Sequence, residues 1–333
     1  MYADEQQAAA AVLAPPAEWV MPERPSVSTT VWRFIRRKPL GAFGLLLVFV
    51  LIAATLGTPR AEFGRPRLPS RPLGFELGPP WMARYNAEVN FRDPETGRVA
   101  QYEAPSLKHW FGTDENGRDT YSRVIAGTRR SMFVGLWALT FATVIGTAVG
   151  VVSAYFRGWL DIFTQRFMDA FQAFPALLIL LLLLSLFKPD LTILALGLGF
   201  VGITGVQRIV RGVVLSTREQ PYVEAARVIG ASDLRTMVFH ILPNITAPII
   251  VVFSIGLGLV ITTEAAVSFI AERYVPQGPS WGIMLSRSRS FFPPDPEGWH
   301  TVAAGGAIAL AVLGFNLAGD ALRDVLDPRL RLG

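Results

Sequence analysis

The sequence contains no cysteine, which excludes disulfides, thiolate metal sites and iron–sulfur clusters. Histidine is nearly absent: His109, His240 and His300 are the only ones, and they form no H-E-x-x-H pair and no serine–histidine–acid grouping. No G-x-x-x-x-G-K-[ST] stretch occurs, so the chain lacks a Walker A loop for cradling ATP phosphates. Nothing here reads as an enzyme, and no cofactor or metal is expected. Charge is also scarce. Asp, Glu, Lys and Arg make up 17% of the chain, against about 25% in ordinary soluble domains.

What the chain has in excess is apolar residues, 51% of the total, and they come in blocks. Six stretches are free of Asp, Glu, Lys and Arg: 39–59, 131–156, 170–187, 191–207, 241–263 and 298–319. Each approaches or exceeds the ~17–25 residues that carry a helix across a bilayer. In hydrocarbon every backbone polar group must bond internally, so such spans are helices. The expected fold is therefore all-α: a polytopic protein of the lipid bilayer with six transmembrane helices, rather than a soluble helical bundle. The fourth span is the shortest, and its helix is expected to continue past Arg208 and Arg211. Residues 1–30 lack a signal-peptide core, so the first span is expected to serve as an uncleaved anchor.

Six spans place both termini on one side. Arg24, Arg33, Arg36, Arg37, Lys38, Arg157, Arg166, Arg208, Arg211, Arg218, Arg227, Arg235, Arg323, Arg329 and Arg331 all fall on that side, fifteen in number, against Lys188, Arg273, Arg287 and Arg289 in the short loops opposite. Positive charge stays inside, so both termini are expected in the cytoplasm, and the net charge of +5 reads as topology rather than as affinity for nucleic acid. The chain then divides into a cytoplasmic N-terminal tail (1–38), a first transmembrane helix (39–59), an extracytoplasmic connection with an interfacial helix (60–130), a five-helix core (131–322) that includes a cytoplasmic loop (218–243), and a cytoplasmic C-terminal tail (323–333).

The connection is rich in proline, arginine and glycine up to residue 110 and shows no helical period. Its "DENG" turn lacks the alternating ligands of a calcium loop. Asp119 is placed to cap a short amphipathic helix bearing Val124 and Ile125; a lead-in to the second span and a docking surface both fit. Gly146 and Gly150 have the small-xxx-small spacing of close helix packing. Glu264 sits in the fifth span, about 10 Å from its outer end at 1.5 Å per residue. Intramembrane carboxylates face a bundle interior or a water path, so Glu264 either lines a translocation path, with Asn316 of the sixth span, or is paired structurally. Asn316 with Asp320, Arg323 and Asp324 also reads as a structural polar cluster at the cytoplasmic face rather than a substrate site.

The loop between the fourth and fifth spans, "YVEAARVIGASDLRTMVFHILPN" from Tyr222 to Asn244, is long and charged for a connector. Tyr222, Ala225, Ala226 and Ile229 share one helical face. Gly230 ends that helix, Ser232 or Asp233 caps a second one carrying Leu234, Met237, Val238 and Ile241, and Pro243 starts the fifth span. A helix resting on lipid headgroups and a docking element for another protein both fit these residues.

"EAARVIGASDLRTMVFHILP" resembles the EAA loop of ABC importer permeases, with Glu224, Ala225, Ala226, Gly230, Leu242 and Pro243 in matching places and His240 where isoleucine is usual. "FGTDENGRDTYSRVIAGTRRSMFVG" (111–135) and "FNLAGDALRDVLDPRLR" (315–331) resemble segments of the C-type permease subunit of dipeptide, oligopeptide and nickel importers. The stretch 268–285 departs from that family, carrying Ala271, Glu272, Arg273 and Tyr274 in place of a glycine-rich turn. The resemblance implies the ABC type I importer permease fold in a prokaryotic cell membrane, and a chain forming half of a translocation path for peptides or related solutes. It also implies that Tyr222, Glu224, Ala225, Ala226, Gly230, Leu242 and Pro243 couple the permease to a separate ATPase. The implied partners are a homologous second permease, two ABC ATPase subunits and an extracytoplasmic solute-binding protein. The alternatives are an autonomous secondary transporter, for which only Glu264 offers an ion-coupling group and no internal repeat is seen, or a membrane-anchored receptor working through residues 60–130.

Overall fold

A computed structural model describes residues 35–36, 38–57, 83–93, 97–288 and 296–326. The chain falls into two units, residues 1–39 and 40–333. Nearly all of the first, like residues 58–82 of the connection and the C-terminal tail from residue 327, lies outside the described residues, so the expectations for those segments do too. The described part of the second unit is a helical bundle: α1 (Pro39–Gly57), α2 (Thr120–Phe156), α3 (Gly158–Gln172), α4 (Ala176–Leu186), α5 (Leu191–Thr217), α6 (Pro221–Val228), α7 (Asp233–Ile270), α8 (Trp281–Ser286) and α9 (Pro296–Leu326). No β-strand forms among the described residues; two isolated bridges, Arg92 with Val99 and Thr113 with Asp119, brace the turns of segment 83–119.

Among the described residues, five helices are long and apolar enough to cross a membrane: α1, α2, α5, α7 and α9. The third expected span, 170–187, is instead a broken pair, with α3 and α4 meeting at 82°. Pro175 is the reason. It lacks the N–H that a continuous helix would use and pushes Phe174 out of helical geometry. Its own ψ of 126° is extended. The eleven residues of α4 reach about 16 Å, half of a hydrocarbon core of about 30 Å, so this span is complete only if α3 is counted with it.

Two further expected boundaries fall within continuous helices. The interfacial helix beginning at Asp119 and the second span are a single helix, α2, of 37 residues, about 55 Å long. Asp119 does cap it, accepting from the Ser122 N–H at 2.8 Å. Arg123 and Arg130 do not stop it, because both are buried against partners within the protein, Asp114 for Arg123 and the Pro276 carbonyl for Arg130, rather than turned to lipid. Pro243 does stand in the first turn of the α-helical stretch Leu242–Ile270, as expected, but that stretch continues without a break from the turn before it. Pro243 thus lies inside α7, where residues Thr236–Ile241 form a π-helical turn, with the Leu242 N–H reaching back to the Met237 carbonyl. A proline removes a hydrogen bond to the preceding turn, and a π-bulge absorbs that loss without ending the helix. By contrast α5 runs past Arg208 and Arg211 to Thr217 as expected, capped at its start by Asp190.

The bundle closes on a glycine seam. A Cβ on Gly146 would come within 2.9 Å of Val206, one on Gly150 within 2.9 Å of the Gln207 carbonyl, and one on Gly199 within 2.6 Å of the Ala138 carbonyl. The backbones of α2 and α5 therefore touch along several turns, as the spacing of Gly146 and Gly150 predicts. A similar contact joins α1 to α9, where Gly44 faces Leu317 and Gly314 faces Leu47. Replacing Gly150 with valine forces these backbones apart and lowers the unfolding temperature in detergent, by the ~1–3 kcal/mol typical of overpacking. Gly212→Ala, where a Cβ meets nothing within 4 Å, leaves stability unchanged or raises it by up to about 1 kcal/mol through helix propensity. Thermal unfolding of the two variants measures the difference.

Candidate functional site

The loop singled out by the sequence gathers at one end of the bundle. Helix α6 begins with Pro221 in its first turn and ends in a glycine cap. Gly230 has φ +85°, its N–H reaches the Arg227 carbonyl at 2.9 Å, and the next N–H, of Ala231, reaches the Ala226 carbonyl at 3.0 Å. Those paired bonds are the Schellman arrangement, which wants glycine for its left-handed residue. A Cβ at Gly230 would meet nothing within 4 Å, so backbone conformation alone calls for glycine here. Ser232 then caps the start of α7, accepting from the Arg235 N–H at 3.4 Å.

The faces of these helices differ from the sequence reading. Of the four residues expected on one contact face of α6, only Ala226 is buried, at 4% exposure, and fully buried Val223 beside it packs into the protein's own core with Tyr155, Val214, Met237 and Ile241. Tyr222, Ala225 and Ile229 are exposed, as are Glu224, Val228 and Gly230. The expected second face is divided in the same way. Met237 and Ile241 turn inward, whereas Leu234 and Val238 turn outward with Phe239. Leu242 is half-buried and Pro243 exposed. The result is an apolar outer surface of Val228, Ile229, Leu234, Val238 and Phe239 beside Arg235 and His240, with an open hollow between Ser232 and His240.

Tyr155, which sequence reasoning missed, holds this surface to the spans. It lies in the last turn of α2, is 4% exposed, and donates from its hydroxyl to Asp233 Oδ1 at 2.7 Å. The Arg227 guanidinium stacks on its ring at 4.8 Å from the centroid. Arg218 donates to the carbonyls of Ala154 and Tyr155, closing the end of α2. Burial lowers the Arg218 pKa from its usual value, and the nearby positive charges of Arg157 and Arg227 lower it further. Beside this clasp, Arg211 grips Asp161 through two bonds of 2.7 and 2.6 Å, and Arg208 meets Asp169 at 2.9 Å, tying α3 to α5. A tyrosine at the end of an apolar span carries no pattern that would single it out; only its neighbours in space do.

At the other end of the bundle, Glu264 is fully buried. It accepts from Ser131 at 3.0 Å, Ser268 at 2.8 Å and Ser280 at 3.3 Å, with Arg130 Nε at 3.8 Å. Asn316 is exposed on α9, its Oδ1 3.2 Å from where a Cβ on Gly258 would stand. Segment 83–119 covers this end. Within it His109 Nδ1 lies 2.8 Å from Asp119, and the "DENG" turn is closed by Asp114, which accepts from the Asn116 and Arg118 N–H groups. Arg287 joins Glu115 of this segment to Glu272 after α7, at 3.2 and 2.5 Å. Burial works to lower the Arg287 pKa, but its bonds to Glu272 and Glu115 outweigh it and raise the value.

Tyr155→Phe keeps the ring and removes one bond to a charged group, worth ~1.5–3 kcal/mol. Limited trypsin cleavage after Arg227 and Arg235 is expected to accelerate about tenfold as the loop opens locally. Unchanged cleavage kinetics would show that Tyr155 does not secure the loop.

Residues 146–332 match the family described as binding-protein-dependent transport system inner membrane component. The chain is similar to the dipeptide transport system permease protein DppC of Alkalihalophilus pseudofirmus, 38% identical over 71% of this chain and 77% of the relative. It is similar also to a putative peptide transport system permease protein of Brucella suis, 34% identical over 96% of this chain and 98% of the relative. A third relative is the glutathione transport system permease protein GsiD of Escherichia coli, 34% identical over 90% of each chain.

Proposed function

The chain belongs to the family of binding-protein-dependent transport system inner membrane components, and on that premise we propose that it forms half of the translocation path of an ATP-driven importer of short peptides or peptide-like solutes. The observation that carries this reading is the surface at 218–243. It is an apolar patch set among arginines, raised on a glycine-capped helix and clasped to α2 through Tyr155. A protein partner fits such a patch better than lipid does, because charged and apolar residues alternate around it. The names of the relatives, dipeptide, peptide and glutathione permeases, support the solute class.

In this reading the docked partner is an ATPase subunit, and two of them serve this chain and a homologous second permease, with a solute-binding protein delivering cargo on the opposite face. Movement of the ATPases is transmitted through Asp233 and Arg227 to Tyr155 and hence to α2. Transport is then a shift of population between two bundle arrangements that the ATPases and the binding protein favour differently. Tyr222, Glu224, Ala225, Gly230, Leu242 and Pro243 stay in the coupling region, but Ala226 serves it from inside, by letting α6 lie close to the core. Both termini and the loop face the cytoplasm in this scheme, and segment 83–119 faces outward.

Purification from native membranes in mild detergent is expected to bring down ATPase subunits and a second permease. Ile229→Asp and Leu234→Asp on the outer surface should each weaken ATPase retention at least about tenfold, as central interface positions do, without loss of membrane insertion. A complex that keeps its ATPase with both substitutions would refute the docking surface. Single cysteines, added to a chain that has none, test orientation: in intact cells an impermeant thiol reagent should label Gln101→Cys and spare Ser232→Cys.

A further inference from the structure

Glu264 and Arg130 bring together three parts of the chain that are far apart in sequence. Ser131 and Arg130 come from α2, Glu264 and Ser268 from α7, and Ser280 and the Pro276 carbonyl from the segment that joins α7 to α8. That segment is drawn into the bundle rather than looped over it. Trp281, Gly282, Ile283 and Met284 of α8 are all buried. The Trp281 Nε1–H donates to the Val124 carbonyl of α2 at 2.9 Å, and its ring occupies the space a Cβ on Gly127 would need, 2.8 Å away. A Cβ on Gly282 would sit 2.3 Å from the Ala265 carbonyl of α7. Helix α8 is thus a wedge between the ends of α2 and α7, and the Glu264 cluster lies at its base.

Arg130 is incompletely satisfied in this arrangement. Its Nη1 donates to the Pro276 carbonyl at 2.6 Å, but Nη2 and Nε have no hydrogen-bond partner, Nε standing 3.8 Å from the Glu264 carboxylate. Buried guanidinium N–H groups left unpaired are costly and call for an explanation. A small displacement of α2 against α7 would bring Nε into direct contact with the carboxylate, and a larger one would part the pair. Bundle arrangements that differ in the α2–α7 distance therefore differ in the strength of this link.

We propose that Glu264 and Arg130 are positioning residues that latch the α8 wedge between α2 and α7, so that rearrangement of the spans during transport seats or releases the wedge at that mouth of the path. Glu264 acts through Ser280 and Arg130 on the wedge and does not itself contact the solute. The inference rests on the importer reading above, since it needs a transport cycle to move the spans.

The test uses the complete complex purified with its ATPases in lipid nanodiscs, where both faces are reachable, and a single cysteine at Met284→Cys as reporter. Co-purification and ATP hydrolysis by this parent complex check the importer reading independently. Labelling by a water-soluble maleimide is measured in the resting complex and in one trapped with ATP and vanadate. In the parent the rate should differ between the two states. Glu264→Gln should raise the slower rate by about a hundredfold, the fold-change that follows from removing one partner of a buried pair, and reduce the difference between states. Glu264→Gln combined with Arg130→Met leaves no buried charge unpaired. A purely structural role predicts that this double variant regains protection; the latch predicts that labelling stays fast while the ATPases stay attached. Protection at the parent level in the double variant, or one labelling rate for both states of the parent, would overturn the proposal.

Discussion

A valine at position 150 would bring its Cβ within 2.9 Å of the Gln207 carbonyl oxygen, and one at 146 would press as closely on Val206. The contact between α2 and α5 is therefore backbone against backbone, and the rest of the bundle is arranged around it. Between membrane helices, burying apolar side chains against each other gains little over leaving them in lipid, so close approach through small residues supplies the attraction instead. Gly146, Gly150 and Gly199 provide that approach, and the pair they lock has something attached at both ends: Tyr155 and Arg218 at one, Arg123 and Arg130 at the other.

Helix α2 is the consequence. It is longer than a span needs, and its extra turns run out of the apolar zone at Arg130, Arg123 and Asp119, where each charged group finds a partner inside the protein. A charge facing hydrocarbon would be expelled to the interface; one that is paired and buried allows the helix to continue. The same logic explains Glu264, which three serine hydroxyls and Arg130 surround. An apolar bundle thus carries its polar groups in two concentrated places, one at each end of α2, and both are places where loops meet spans.

The elements that were legible in the residues are those with local causes. The extent of α5 past Arg208 and Arg211, the glycine stop at Gly230, the caps at Asp119 and Ser232, and the glycine spacing in α2 all appear as read. The misreadings came from proline and from faces. Counting uncharged residues across 170–187 overlooked Pro175, which breaks that run into two helices at 82°, whereas Pro243, read as a helix start, does open the α-helical stretch Leu242–Ile270, which a π-turn joins to the residues before it. The contact face assigned to α6 differs at one of its four residues, Ala226, because apolar residues line both sides of the helix: Val223 and Ala226 inward, Val228 and Ile229 outward.

By itself the sequence determined that this chain is a bundle of membrane helices with a charged, glycine-broken loop before its fifth expected span. Hydrophobic run length, capping chemistry and left-handed glycine are properties of short stretches, so they need no knowledge of the fold. Only the tertiary structure decided that Ala226 faces the core, that Tyr155 holds the loop, and that Glu264 lies among serines and an arginine rather than facing an open path. Those outcomes join residues such as Tyr155 and Asp233, or Ser131 and Glu264, that lie 78 and 133 positions apart, and no local pattern encodes which of two apolar faces, or which distant hydroxyl, a side chain will meet.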